Sequence, residues 1–191
     1  AVKRRRLPTN PFAGLPVAEG SSAARERVLA DAEVGEVWRA AGKVPSPHGP
    51  MIRLALLTLA RRDEVAGMTW GEVAADLSTW TQPATRTKNA KPHIVHLSAP
   101  ARAVLRSMAG ADGGRGAPAL PPADRLVFGV GDNRPITAHS WAKRKLDEAA
   151  AAERKELAGD GEAAPMLPWV LHDFRRTGVT WLAGAGFAPH V

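Results

Sequence analysis

The sequence predicts a mainly helical domain with one small antiparallel sheet, an α+β fold. Apolar residues recur at helical spacing in several separate stretches, and β-forming residues are confined to two short runs between residues 79 and 97. A length of 191 residues, with 45% hydrophobic against 24% charged, suits one compact core.

The elements follow in order. Residues 1–20 hold the basic run Lys3–Arg6 and the prolines Pro8, Pro11 and Pro16, with no periodic apolar pattern, and read as an interdomain linker remnant ahead of a domain over 21–191. Val34, Val37, Trp38 and Ala41 mark one face of a helix over Asp31–Ala41, stopped by Gly42 and Pro45. A second helix starts near Pro50, a favourable first-turn residue, and runs through Ile52, Leu54, Leu57 and Leu59 into the charged cluster Arg61–Glu64. Being apolar on most sides, it should be buried.

Thr79–Gln82 and His93–Leu97 read as paired strands whose turn carries Lys88 and Lys91. Ser98 caps a helix to about Ala109, and the Gly-, Ala- and Pro-rich stretch 110–124 reads as a disordered surface loop. After the apolar run Leu126–Phe128, helices are expected over Thr137–Ala152 and His172–Ala183, with a loop over Gly159–Pro168 between them.

Composition narrows the function. There is no cysteine, which excludes disulfides, thiolate metal sites and cysteine nucleophiles. Of six histidines only His93 and His96 are close, and on a strand they face opposite ways, so no metal site is expected. No apolar run reaches the length of a membrane span, and nothing resembles an export signal, which fits a cytoplasmic protein. The net charge of +7 favours a polyanion partner, because a basic surface releases counterions from a phosphate backbone.

The residues suited to chemistry are basic side chains at the edges of apolar elements: Arg61, Lys88, and the pair His172 and Arg175, whose i, i+3 spacing puts them on one helix face. Phosphate is the natural ligand, since a guanidinium is permanently charged and its donor fork matches two phosphoryl oxygens. Plainer roles compete with this reading. Arg61 has Glu64 at i+3 as an ion-pair partner, His172 can cap a helix, and Lys88 can be a solvated turn residue.

Three segments carry a family likeness. Thr58-Leu59-Ala60-Arg61-Arg62-Asp63-Glu64 with Met68-Thr69-Trp70 behind it, Thr87-Lys88-Asn89 before His93–Ser98, and His172-Asp173-Phe174-Arg175-Arg176-Thr177 resemble the three catalytic boxes of the tyrosine recombinases. They stand in the family's order, and the likeness covers Arg27–Val191, most of all to integrases of bacterial phages and genomic islands. The resemblance implies site-specific DNA recombination without metal or nucleotide cofactor. It implies that Arg61 and Arg175 clamp the scissile phosphate, that Lys88 is the general acid for the leaving 5′ hydroxyl, and that His172 assists proton transfer. Arg62, Lys91, His93 and Arg176 are the expected DNA-binding neighbours, double-stranded DNA is the expected partner, and a tetramer on DNA is the family's assembly. A nucleoid-associated place in a bacterial cytoplasm follows.

The likeness departs at two points. Leu59 stands where the family usually has glycine. The family's nucleophilic tyrosine and the position preceding it lie beyond the His-x-x-Arg helix, while this sequence contains no tyrosine at all beside six tryptophans. The expectation is therefore a catalytic domain truncated before its nucleophile, lacking the upstream core-binding domain, which binds DNA without cutting it and self-associates through exposed apolar surface. A non-catalytic DNA-binding module that keeps the recombinase fold is the alternative. A basic nucleic-acid-binding domain unrelated to integrases is a third reading.

Overall fold

The computed structural model describes residues 27–87, 89–110, 120–159, 161 and 163–187. The expected linker over 1–20, Lys88 and the centre of the 110–124 loop fall outside these. The order of elements is α1 (Asp31–Lys43), α2 (His48–Thr58), α3 (Arg62–Ala66), β1 (Thr79–Gln82), β2 (His93–His96), α4 (Ala99–Met108), α5 (His139–Ala158) and α6 (Asp173–Gly184), with short 3-10 turns at Trp70–Glu72 and Ala84–Arg86. The α+β expectation holds among the described residues: six helices and one two-stranded antiparallel sheet, with Thr79 opposite His96 and Gln82 opposite His93.

Helix α2 is the hub. Its Met51, Ile52 and Leu54 are fully buried, as its continuous apolar character predicts, and it touches α1, α3, α4, α5 and α6. Val37 and Ala40 of α1, Trp80 of β1, Leu105 of α4, Leu146 of α5 and Phe174 of α6 close the core around it. Burying such side chains supplies most of the driving force for this packing. The stretch 123–127 lies beside 68–71, held by Trp70 N–H to Arg125 O (2.9 Å) and Val127 N–H to Met68 O (2.8 Å). Among the described residues, no helix is long and apolar enough to cross a membrane.

Several boundaries differ from the sequence expectation. Helix α1 passes through Gly42 to Lys43 and ends where Val44, held extended ahead of Pro45, leaves the helix. Helix α5 begins at His139 rather than Thr137. Helix α2 does not continue into Arg61–Glu64: it ends at Thr58, Leu59 adopts a left-handed conformation (φ 54°, ψ 18°), and a new helix begins after Arg61. Local bonds fix the break. Thr58 Oγ1 turns back to Leu54 O (2.8 Å), and the Glu64 carboxylate accepts the backbone N–H of Arg61 (2.8 Å), the reach-back half of a capping box. Helix α5 runs six residues past Ala152 to Ala158, because Glu153, Arg154 and Lys155 are strong helix formers and Gly159 is the first stop. That extra length is anchored to α1: Arg39 and Lys43 pair with the buried Glu153, and Arg154 pairs with Glu36 (2.5 Å).

Candidate phosphate-binding site

Arg61 sits in the extended step between α2 and α3, Arg175 on the first turn of α6, and His172 at the N-cap of α6. Chain topology brings the first two together, because α2 and α6 are in contact. Arg61 and Arg175, with Ala60, form the common wall of two clefts. The first, about 520 Å³, is closed by Arg62, Asp63, His139, Lys143 and His172. The second, about 360 Å³, is closed on the sheet side by Thr87, Lys91 and His93.

Each arginine is held by the protein on one side and exposed on the other. Arg61 donates to the Glu64 carboxylate (2.7 Å) while about half of its side chain stays open to solvent. The ion pair anticipated from the i+3 spacing is therefore present. It orients the guanidinium and leaves other donors free, since the group carries five N–H bonds. Burial pushes the Glu64 carboxyl up, but hydrogen bonds from Arg61 and the charges of Arg61 and Arg175 outweigh this and hold it below its ordinary range. Arg175 donates through Nη1 to the carbonyl of Leu59 (2.9 Å).

A layer beneath ties this wall to the sheet. Arg86 donates to the backbone carbonyl of Glu64 (2.6 Å) and pairs with Glu72, which also accepts the indole N–H of Trp80 (2.9 Å). Neither Arg86 nor Glu72 stands out in the sequence, because each is one of many charges and only the pairing across β1 makes it structural.

The expected site residues divide as follows. Arg61, Arg62, His172 and Arg175 share the first cleft; Arg61, Arg175, Lys91 and His93 share the second. Lys88 is not among the described residues, though Thr87 and Asn89 on either side of it line the second cleft. Arg176 lines neither cleft and pairs instead with Asp173 (3.2 Å), a buried carboxylate that also accepts the N–H of Val170 (2.9 Å). Arg62 pairs with Asp63 (2.7 Å), which lowers the carboxyl's pKa, first through that hydrogen bond.

Two residues of the first cleft escape sequence reasoning: His139 and Lys143, one turn apart on α5. Their i, i+4 spacing on a face with the buried Leu146 is the only sequence signal. Lys143 bonds Asp147 (2.6 Å) and lies over the ring of Trp169, 4.1 Å from its centroid. Burial, then the charge of Arg62, depresses the pKa of His139 and favours a neutral imidazole. Across both clefts five permanent cations face two carboxylates, so the walls attract anions. Among the described residues, no group of His, Asp or Glu could hold a metal ion.

The fold is shared with DNA integrases and site-specific recombinases of solved structure, at 14–18% sequence identity. The Tn1549 transposon integrase bound to transposon right end DNA matches with a TM-score of 0.57 at 16% identity, over 96% of this chain and 62% of that one. The same integrase with circular intermediate DNA gives 0.56 at 18% identity, over 91% and 57%. A lambda integrase tetramer bound to a Holliday junction gives 0.55 at 15%, over 85% and 44%. The chain thus spans less than two thirds of each of these proteins. No protein-family model matches the sequence. No curated protein matches it either.

Proposed function

We propose that this domain binds double-stranded DNA through its phosphates and serves site-specific recombination as the catalytic domain of a tyrosine recombinase. The observation that carries the reading is the common wall of the two clefts: Arg61 and Arg175, distant in sequence, stand side by side on a recombinase fold with His172 beyond one flank and Lys91 and His93 beyond the other. In this reading the two guanidiniums bind the non-bridging oxygens of one phosphodiester and stabilise the charge that develops there in transfer. His172 orients that phosphate and moves a proton, Lys88 protonates the leaving 5′ oxygen, and Arg62, Lys91 and His93 track the flanking backbone. Arg176 contributes by holding Asp173, and through it the start of α6.

The sequence has no tyrosine, so this chain alone forms no phosphotyrosyl bond, and its own activity is DNA binding. The same observation supports the second reading, a non-catalytic module on the recombinase fold. Exposed Val179 and Trp181 on α6, with Phe187 just after it, support self-association, in the first reading as a tetramer on DNA. The setting is a phage or genomic-island element in a bacterial cytoplasm.

Duplex binding measured against salt tests the proposal, with the Arg61→Ala/Arg175→Ala double variant as comparison. The expected result is binding that weakens with salt and a slope about 0.9 shallower in the double variant, the share of the one phosphate that the two guanidiniums neutralise. An unchanged slope overturns the phosphate clamp. The encoded protein extended through its next tyrosine, if present, should trap a covalent adduct on a nicked substrate; failure to do so with binding intact selects the non-catalytic module.

A further inference from the structure

Two residues near the clamp break local rules in ways that explain each other. Leu59 takes a left-handed backbone (φ 54°), a conformation that strains an L-residue and that glycine adopts freely. Gly178 sits in the middle of α6, where glycine weakens a helix. A Cβ at position 178 would lie 2.2 Å from Leu59 Cδ1, 2.4 Å from Cδ2 and 2.8 Å from Cγ. The leucine side chain therefore occupies the notch that the missing Cβ leaves in α6.

We infer that Leu59 and Gly178 are a matched knob and notch that positions Arg175. The notch is three residues after Arg175, on the same helix face, so seating the knob fixes how far the α2–α3 step stands from α6 at the level of the guanidinium. The same residue then closes the arrangement with its backbone. The carbonyl of Leu59 accepts Nη1 of Arg175 at 2.9 Å, which leaves the other donors of the guanidinium for a ligand. Two residues on, the same step carries Arg61. Leu59 thus sets the relation between the two arginines without touching a ligand itself. Consistency between local strain and tertiary fit is what distinguishes such a device from an accident of sequence. The functional consequence rests on the proposed phosphate clamp; the positioning does not.

Three variants test the pair: Gly178→Ala, which drives a methyl into the knob; Leu59→Gly, which keeps the turn and removes the knob; and the two combined. One readout is independent of DNA: protection of the Arg175 guanidinium N–H signals from solvent exchange by NMR, assigned with Arg175→Lys. Gly178→Ala should lose that protection and bind duplex DNA about ten-fold more weakly, the scale of one charge-assisted hydrogen bond. Leu59→Gly should lose part of the protection, with about a three-fold weaker affinity, roughly half that energy. The combined variant should match Leu59→Gly rather than compound the two losses, because its methyl has no knob to strike. Additive losses in the combined variant, or native-like protection and affinity in Leu59→Gly, overturn the inference. Should Gly178→Ala fail to fold, the comparison of Leu59→Gly with the native protein still decides it. Absence of DNA binding by the native protein defeats the functional reading, while the protection pattern still decides the positioning.

Discussion

Replacing Arg61 with alanine separates a ligand-binding role from a structural one, because the structure puts different magnitudes on the two. The side chain is about half exposed, and among the described residues its only bond is the 2.7 Å pair with Glu64. A pair of that exposure contributes about 0.5 kcal/mol. The backbone N–H of residue 61, which caps α3 through Glu64, survives the substitution. The melting temperature should therefore fall by no more than about 1–2 °C for a chain of this size. Removing one guanidinium from a phosphate has a larger effect, about 1.5–3 kcal/mol, so affinity should drop roughly ten-fold or more. The salt slope should become shallower by at most about 0.9, the share of one neutralised phosphate, because Arg175 still faces it. Fluorescence anisotropy on a labelled duplex at several salt concentrations reads both quantities, and calorimetry reads the melt. Arg134→Ala is the control, an exposed arginine that lines neither cleft. Equal affinity loss in Arg61→Ala and the control, with an unchanged slope, would refute the reasoning; so would a fall of more than about 5 °C in Tm, since Arg61 would then be structural.

Two further outcomes follow from the same geometry. Glu64 is held below its ordinary pKa of 4.5, so the folded state binds fewer protons than the unfolded one. Its contribution should be complete above about pH 5 and vanish as pH falls through the lowered value, whereas Glu64→Gln, about 1 kcal/mol less stable at pH 7, should show a smaller dependence in melts from pH 3 to 7, the remainder coming from other lowered carboxyls such as Glu33 and Asp63. Gly49→Ala should cost about 2–3 kcal/mol and several degrees of Tm, because its methyl would meet the carbonyl oxygens of Val44 and Ala41 at 2.3 and 2.4 Å, and backbone atoms there can yield only by parting α1 from α2. A native-like melt would show that the start of α2 is looser than described.

The local rules of the chain are legible in the sequence. Val34, Val37, Trp38 and Ala41 announce α1, the apolar run after Pro50 announces a buried α2, and the β-formers at 79–82 and 93–96 pair as expected. The i, i+3 spacing of His172 and Arg175 puts both on the first cleft, and Arg61–Glu64 form the ion pair their spacing allows. These features depend on neighbours within one or two turns, so periodicity and capping suffice to find them. The end of α5 is equally local: helix formers continue to Ala158 and Gly159 is the stop, so the expected end at Ala152 fell short of what the residues themselves specify.

What tertiary structure alone decided is where local signals are silent or contrary. No glycine or proline marks the end of α2 at Thr58. The left-handed Leu59 is tolerated because its side chain has a vacancy at Gly178 and its carbonyl a donor in Arg175, both on a helix more than a hundred residues away. Lys143 and His139 reach the first cleft only because α5 lies across it, and Arg176 turns from the clefts because the buried Asp173 claims it. A sequence specifies which side chains are cationic; only the packing of α2 against α6 makes two of them the shared wall of one site, since charge is a property of a residue and convergence a property of the fold.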